Sequence, residues 1–198
     1  MTLPHKHMGF ILNKIHYGEA DIILKIINEE GKKLTLFAKA AKKSLKRFAG
    51  GLDYFHLYSL EYTSAKHGGM GKLFTTSIIT YYDTIKTDLT RFALANVFVE
   101  LIDHFLKEDD SEKKLFHQIK HFFETLQTTA LPLDVYCNSL MEIFRILGYG
   151  LDRNTDIQNA LQQREWNRLF HVFNEHILVH GQKELKSLTF AKKILFHT

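Results

Sequence analysis

Residues 31–52 read GKKLTLFAKAAKKSLKRFAGGL, and the change of character within this stretch decides how the first part of the chain is read. Leu34, Leu36 and Ala38 alternate with Lys33, Thr35 and Phe37, the period-two spacing of a strand with two unlike faces. Past residue 38 the alternation stops. Lys39, Lys42, Lys43, Lys46 and Arg47 then place five cations in nine residues, with no acid among them. A strand therefore runs into a basic loop. Such a cluster on a β-framework is the electrostatic footprint of a surface that holds a phosphate backbone; charge alone also allows a merely solvated loop.

Upstream, residues 8–15 and 20–27 read as strands joined through Gly18, and Glu30 with Gly31 turns the chain into the strand at 33–38. Downstream, residues 54–63 alternate again, and after Gly68, Gly69 and Gly71 the run 73–82 is β-branched and aromatic. Five antiparallel strands with one long connection between the third and fourth predict an OB-type Greek-key barrel over residues 1–82. A five-stranded SH3-like barrel has the same strand count. The glycines of HGGMGK, residues 67–72, do not make a phosphate-cradling loop, because Lys66 and Leu73 stand where that loop needs Gly and Ser or Thr. They predict a hairpin tip from which Lys66 and Lys72 can touch a backbone.

From residue 84 the period becomes helical. Asp88 is a candidate cap for a helix that is apolar on most of its circumference, through Phe92, Ala95, Val99 and Ile102 on one stripe and Leu94, Phe98 and Leu101 on another. Asp109, Asp110 and Ser111 precede a second helix, Pro132 opens a third that Gly148 closes, and Trp166, Leu169, Phe173 and Ile177 mark a fourth, ending near Gly181. Residues 152–163 are weakly periodic, and Ser187 starts a last short helix. The expectation is an α+β chain, with an all-α helical domain over residues 83–198.

The charge is divided in the same way. Residues 1–80 carry twelve Lys and Arg against six Asp and Glu, a balance of +6, while the remainder carries fourteen against sixteen, or −2. One region suits a polyanion and the other something else. Cys137 is the only cysteine, which excludes an intrachain disulfide and a multi-thiolate zinc site and fits a reducing cytoplasm. No run of about 18 uncharged apolar residues is present, so no membrane partner is expected.

The run GKKLTLFAKAAKKSLKRFAGGLDYF resembles the N-terminal signature of the bacterial recombination mediator RecO family: Gly, a strand, Ala-Lys, an Arg/Lys-rich loop, then Ala-Gly-x-Leu and an aromatic. GEADIIL at 18–24, FVELIDHFL at 98–106, ILGYGLD at 146–152 and ELKSLTF at 184–190 are similar to further family motifs, in order and over nearly the whole chain. The resemblance implies an N-terminal OB barrel, an α-helical domain and no catalysis. It implies binding of single- and double-stranded DNA, strand annealing, and help in loading recombinase with RecR onto strands covered by single-stranded DNA-binding protein. DNA contacts would then fall to Lys39, Lys42, Lys43, Lys46 and Arg47, with Lys32, Lys33, Lys66 and Lys72 beside them. The acidic C-terminal tail of single-stranded DNA-binding protein would find anchors among Arg91, Arg145, Arg164 and Arg168 in the helical domain, and the chain would be cytoplasmic and nucleoid-associated. Ala40 stands where many members have Gly, and Tyr54 replaces a frequent Pro. The four-cysteine zinc module of many members is missing after GYGLD, where Arg153 and Asn154 lead almost directly to Asp156, so no metal or cofactor is expected.

Two readings from other classes are consistent with the residues. One is a protein-interaction adaptor whose loop serves solubility. The other is a metal-dependent hydrolase built on His117/His121 and His176/His180, pairs with the i, i+4 spacing of two ligands but without HExxH or a third ligand. Tyr17, Phe37, Tyr54, Tyr58 and Tyr62 are candidates to stack on bases, with the inward half of each strand unassigned.

Overall fold

The structure, a computed structural model, describes residues 3–44, 46–65, 69–108, 110–151, 155–181 and 184–196. Five strands form its first part: β1 (His5–Tyr17), β2 (Asp21–Asn28), β3 (Lys33–Ala38), β4 (His56–Thr63) and β5 (Gly71–Tyr81). They close in the order β1-β2-β3-β5-β4, and β4 returns to β1. All neighbours are antiparallel except β3 and β5, and this parallel seam within a closed barrel is the OB type. The first strand serves both edges. Its N-terminal half pairs with β4 and its C-terminal half with β2, and a bulge between Ile11 and Asn13 bends it from one to the other. At the seam a Cβ on Gly71 would lie 2.3 Å from the Thr63 carbonyl oxygen, so only glycine lets the strands close there.

Leu24, Ile26, Leu36, Tyr58 and Leu60 fill the barrel, and all are fully buried. The long β3–β4 connection contributes Phe48 and Leu52 to the same core, from short 3-10 turns at Ala41–Lys43 and Ala49–Leu52. Burying a phenylalanine is worth about 2–3 kcal/mol, enough to hold a loop down at its exit end.

Two units divide the chain. One comprises Met1–Tyr82 and Leu106–His117, the other Asp83–Phe105 and Gln118–Thr198. In the first unit the segment 106–117 is fastened to the β2–β3 turn and to β3. The Lys33 ammonium donates to the Leu106 carbonyl at 3.0 Å, the Thr35 hydroxyl to Glu108, Ser111 Oγ to the Glu30 carbonyl at 2.8 Å, and the Glu112 amide to the Gly31 carbonyl at 3.2 Å. Gly31 has φ of 79°, and a Cβ there would lie 2.2 Å from the Glu112 backbone, so both conformation and space select glycine. Ser111 is thus spent on the barrel and does not cap a helix. The helix expected from 109–111 begins at Lys113, and Asp109 lies outside the described residues.

The helices are α1 (Thr84–Thr87), α2 (Leu89–Phe105), α3 (Lys113–Leu126), α4 (Pro132–Ile146), α5 (Thr155–Gln162), α6 (Trp166–Gly181) and α7 (Lys186–Phe196). In the second unit α2 is the buried centre, as its all-round apolar sequence predicts, and Asp88 Oδ1 accepts the Arg91 amide at 2.8 Å as an N-terminal cap. Phe98 and Phe122 stack with centroids 3.8 Å apart. The Glu100 carboxylate accepts the Lys186 and Ser187 amides at 3.1 and 2.8 Å and so caps α7 from another helix. Pro132 occupies the first turn of α4. The weakly periodic stretch 152–163 contains α5, which two buried residues, Ile157 and Ala160, hold in place. Among the described residues no helix is long and apolar enough to cross a membrane.

Candidate nucleic-acid interface

The basic loop is built by its own cations. Ala40 adopts the left-handed conformation, φ 55° and ψ 31°, the geometry that a glycine would take without cost, and its amide donates to Asp21 Oδ1 at 2.7 Å. Next to it the Lys42 amide donates to the Ala20 carbonyl at 3.0 Å and the Lys42 ammonium to the Gly18 carbonyl at 3.1 Å, which lays the loop on the β1–β2 turn. At the exit Arg47 donates from Nε to Ser44 Oγ at 3.0 Å and from Nη2 to the Lys39 carbonyl at 2.7 Å. Its guanidinium lies 4.9 Å from the Phe48 ring centroid, and its own carbonyl accepts the Thr76 amide and the Thr75 hydroxyl from β5. Lys42 and Arg47 therefore shape the loop. Lys39, Lys43 and Lys46 are exposed on it, and none has a carboxylate partner among the described residues. Carbonyls and rings do not cancel a positive charge, so the loop keeps its full complement.

The neighbouring cations divide by burial. Lys72 is exposed on β5, with its ammonium 5.1 Å from the Phe74 ring centroid. Lys32 is exposed but paired with Glu30 at 3.0 Å, and that lysine holds the Glu30 carboxyl below its usual range. Lys33 is only 5% exposed and its ammonium is committed to the Leu106 carbonyl, so it is removed from any DNA-facing surface. Lys66 lies outside the described residues. Sequence reasoning passed over Lys25, half-buried on the outward side of β2 opposite Asn13 and Thr35; its alternation with Leu24 and Ile26 is the signal that would have found it.

Of the five aromatic candidates, Tyr58 and Tyr62 are buried, the first donating to the Asp53 carbonyl and the second bonded to Asn28 and His7. Burial pushes the Tyr62 hydroxyl up, so it stays protonated. They are core residues and cannot stack on bases. Tyr54 is half-buried with its hydroxyl accepting the Lys14 amide at 2.9 Å. Tyr17 and Phe37 remain on the surface, edge to face with centroids 6.1 Å apart.

In the helical unit each candidate arginine meets a carboxylate. Arg91 bonds Asp88 at 3.0 Å and also the Leu126 and Thr129 carbonyls; Arg145 bonds Glu142 at 2.8 Å; Arg164 lies 3.6 Å from Asp134; Arg168 bonds Glu165 at 2.9 Å and lies 3.6 Å from Asp156. The His176 and His180 rings are 4.2 Å apart, and burial, with His180 adding to it, pushes His176 down to about 4. Cys137 is buried and its thiol is pushed up to about 12 by that burial. Among the described residues no three His, Cys, Asp or Glu side chains come together as ligands for a metal.

An OB-type barrel with a basic β3–β4 loop, followed by a helical unit, defines the architecture. The family model described as Recombination protein O N terminal matches residues 1–82, and that described as Recombination protein O C terminal matches residues 86–159. The chain belongs to the RecO family. It is similar to the DNA repair protein RecO of Syntrophus aciditrophicus (strain SB), 31% identical over 118 residues, which cover 60% of this chain and 46% of that protein. The DNA repair protein RecO of Desulfatibacillum aliphaticivorans is 30% identical over 132 residues, 66% and 51% of the two chains, and that of Macrococcus caseolyticus (strain JCSC5402) 32% over 115 residues, 58% and 45%. The matched part thus spans about half the length of these curated relatives.

Proposed function

We propose that this chain is a non-catalytic, DNA-binding mediator of recombinational repair, as the RecO family models and the relatives' name, DNA repair protein, support. It binds single- and double-stranded DNA, anneals strands, and aids recombinase loading together with RecR on strands covered by single-stranded DNA-binding protein. The observation that carries the reading is the loop in which Lys39, Lys43 and Lys46 meet no carboxylate among the described residues while Lys42 and Arg47 hold its shape. The helical unit takes the acidic tail of single-stranded DNA-binding protein. Arg145, Arg164 and Arg168, whose own side chains are exposed, can exchange a carboxylate of their own unit for one of the tail, which Arg91, largely covered and held by two carbonyls, does less readily.

A salt series of binding to single-stranded DNA tests the reading. Each phosphate neutralised contributes about −0.7 to the log-log slope, so three engaged lysines give about −2 and all five loop cations about −3.5. Affinity that is weak and independent of salt rejects the reading in favour of an adaptor that binds only proteins.

A further inference from the structure

The outward face of a barrel strand ordinarily carries polar side chains, since alternate residues face water. On this barrel one outward row is not polar. Ile15 stands opposite Ile23 across β1 and β2, Ile23 opposite Phe37 across β2 and β3, and Phe37 opposite Lys72 across the parallel seam to β5. The residues between them along the strands, Ile22, Leu24, Leu36 and Ala38, are buried, so the row points out. Ile15 is 45% exposed and Tyr17, two residues on, is 57% exposed with its ring against Phe37. At the other end Phe74 lies under the Lys72 ammonium.

This apolar strip is bounded by cations. Lys39 follows Phe37 by two residues, Lys72 closes the row, and the loop that carries Lys43 and Lys46 rests on the turn just after Tyr17. Of the nearby acids, Asp21 holds the Ala40 amide and Glu108, beyond the strip, accepts the Thr35 hydroxyl, while Glu19 in the β1–β2 turn is exposed, one acid against the row of cations. With strands about 4.8 Å apart the row is about 14 Å long, room for neighbouring bases laid flat.

We propose that this strip is a stacking platform for unpaired bases, on which Tyr17 and Phe37 receive bases of a single strand while its phosphates lie along Lys39, Lys72 and the loop lysines. The inference rests on the DNA-binding reading above and deepens it. A duplex keeps its base faces inside its own stack, so only a single strand can use the platform; a duplex is held by its phosphates alone. Every base has a flat π-face, so the preference is for single strands and not for a sequence.

The test measures binding of the full chain to oligothymidylate, to an abasic oligonucleotide of equal length and to a duplex, at one salt concentration and then along a salt series. Stacking predicts that oligothymidylate binds about tenfold tighter than the abasic strand with the same salt slope. Tyr17→Ala, at an exposed side chain, removes most of that difference and leaves abasic and duplex binding unchanged, whereas Tyr17→Phe retains it. In Tyr17→Trp, emission read against the single native Trp166 is quenched by oligothymidylate and not by the abasic strand. Equal wild-type affinity for the two strands overturns the platform and leaves the phosphate-binding loop standing, as does a Tyr17→Ala variant weakened equally for all three ligands. Binding to none of them fails the DNA reading as well. Quenching of the Trp by an acidic aromatic peptide but by no oligonucleotide reassigns the strip to a protein partner and also overturns the proposal.

Discussion

The cations of the barrel loop and those of the helical unit are equally conspicuous in the sequence and differently placed in the structure. Arg91, Arg145, Arg164 and Arg168 each meet a carboxylate of their own unit, so the field that each projects is largely cancelled at short range. Lys42 and Arg47 meet carbonyls and a ring, while Lys39, Lys43 and Lys46 meet no carboxylate among the described residues. A count of charges does not separate these cases. What separates them is the partner: a carboxylate neutralises, and a carbonyl only orients.

The largest effect expected from this contrast is on DNA. Changing Lys39, Lys43 and Lys46 together to Glu should weaken single-stranded DNA binding by on the order of a hundredfold at low salt and flatten the salt slope by about 2. The matching set in the helical unit, Arg145, Arg164 and Arg168 to Glu, should change it by less than about threefold. Comparable losses in fluorescence anisotropy titrations of the two sets would break the comparison.

Next in size is a cation that neither group contains. Lys33→Ala strips the Leu106 carbonyl of its buried donor and should cost about 2–3 kcal/mol in urea unfolding, against less than about 0.5 kcal/mol for Lys43→Ala on the open loop. Equal midpoints for these two variants would show that Lys33 is not structurally committed.

A smaller effect follows from His176, which takes up its proton less readily folded than unfolded. Its folded value of about 4 lies below the ordinary 6.5, so between those pH values the unfolded chain binds the extra proton. Stability should therefore fall as pH drops from above 6.5 toward 4. His176→Phe should reduce that slope, as read from urea midpoints at pH 7, 5.5 and 4.5; an unchanged slope would place its origin elsewhere.

The smallest effect sharpens the loop itself. Ala40→Gly relieves a left-handed residue and should raise stability by no more than about 1 kcal/mol, since the entropy that glycine adds to the unfolded chain offsets part of the relief. A thermal midpoint that drops sharply would mean that the alanine methyl is required where it stands.

Much of the fold was legible because its signals are local. The β3 alternation, the Asp88 cap and Pro132 at the start of α4 each act over a few residues, and each appears where the sequence puts it. The α5 helix was not legible, because only Ile157 and Ala160 are buried from it and packing rather than propensity makes the helix. The site was half legible. Lys33 belongs to the same charged run as Lys39, and nothing local tells that residues 106–117, far along the chain, cover one and not the other. Tyr58 and Tyr62 differ from Tyr17 and Phe37 only in which way a strand faces, which strand pairing sets.

The return of residues 106–117 to the β2–β3 turn has a consequence for the order of events on the ribosome. An N-terminal barrel would ordinarily fold as soon as its last strand is free of the exit tunnel. Here the carbonyl that receives the Lys33 ammonium, and the backbone against which Gly31 is fitted, are still inside the tunnel when Tyr81 emerges. Roughly 35 further residues, about two to seven seconds of synthesis, must follow before the first unit is whole. During that interval a nascent chain whose emerged part ends near residue 82 should remain open to protease at the β2–β3 turn, and one whose emerged part extends well beyond residue 117 should not.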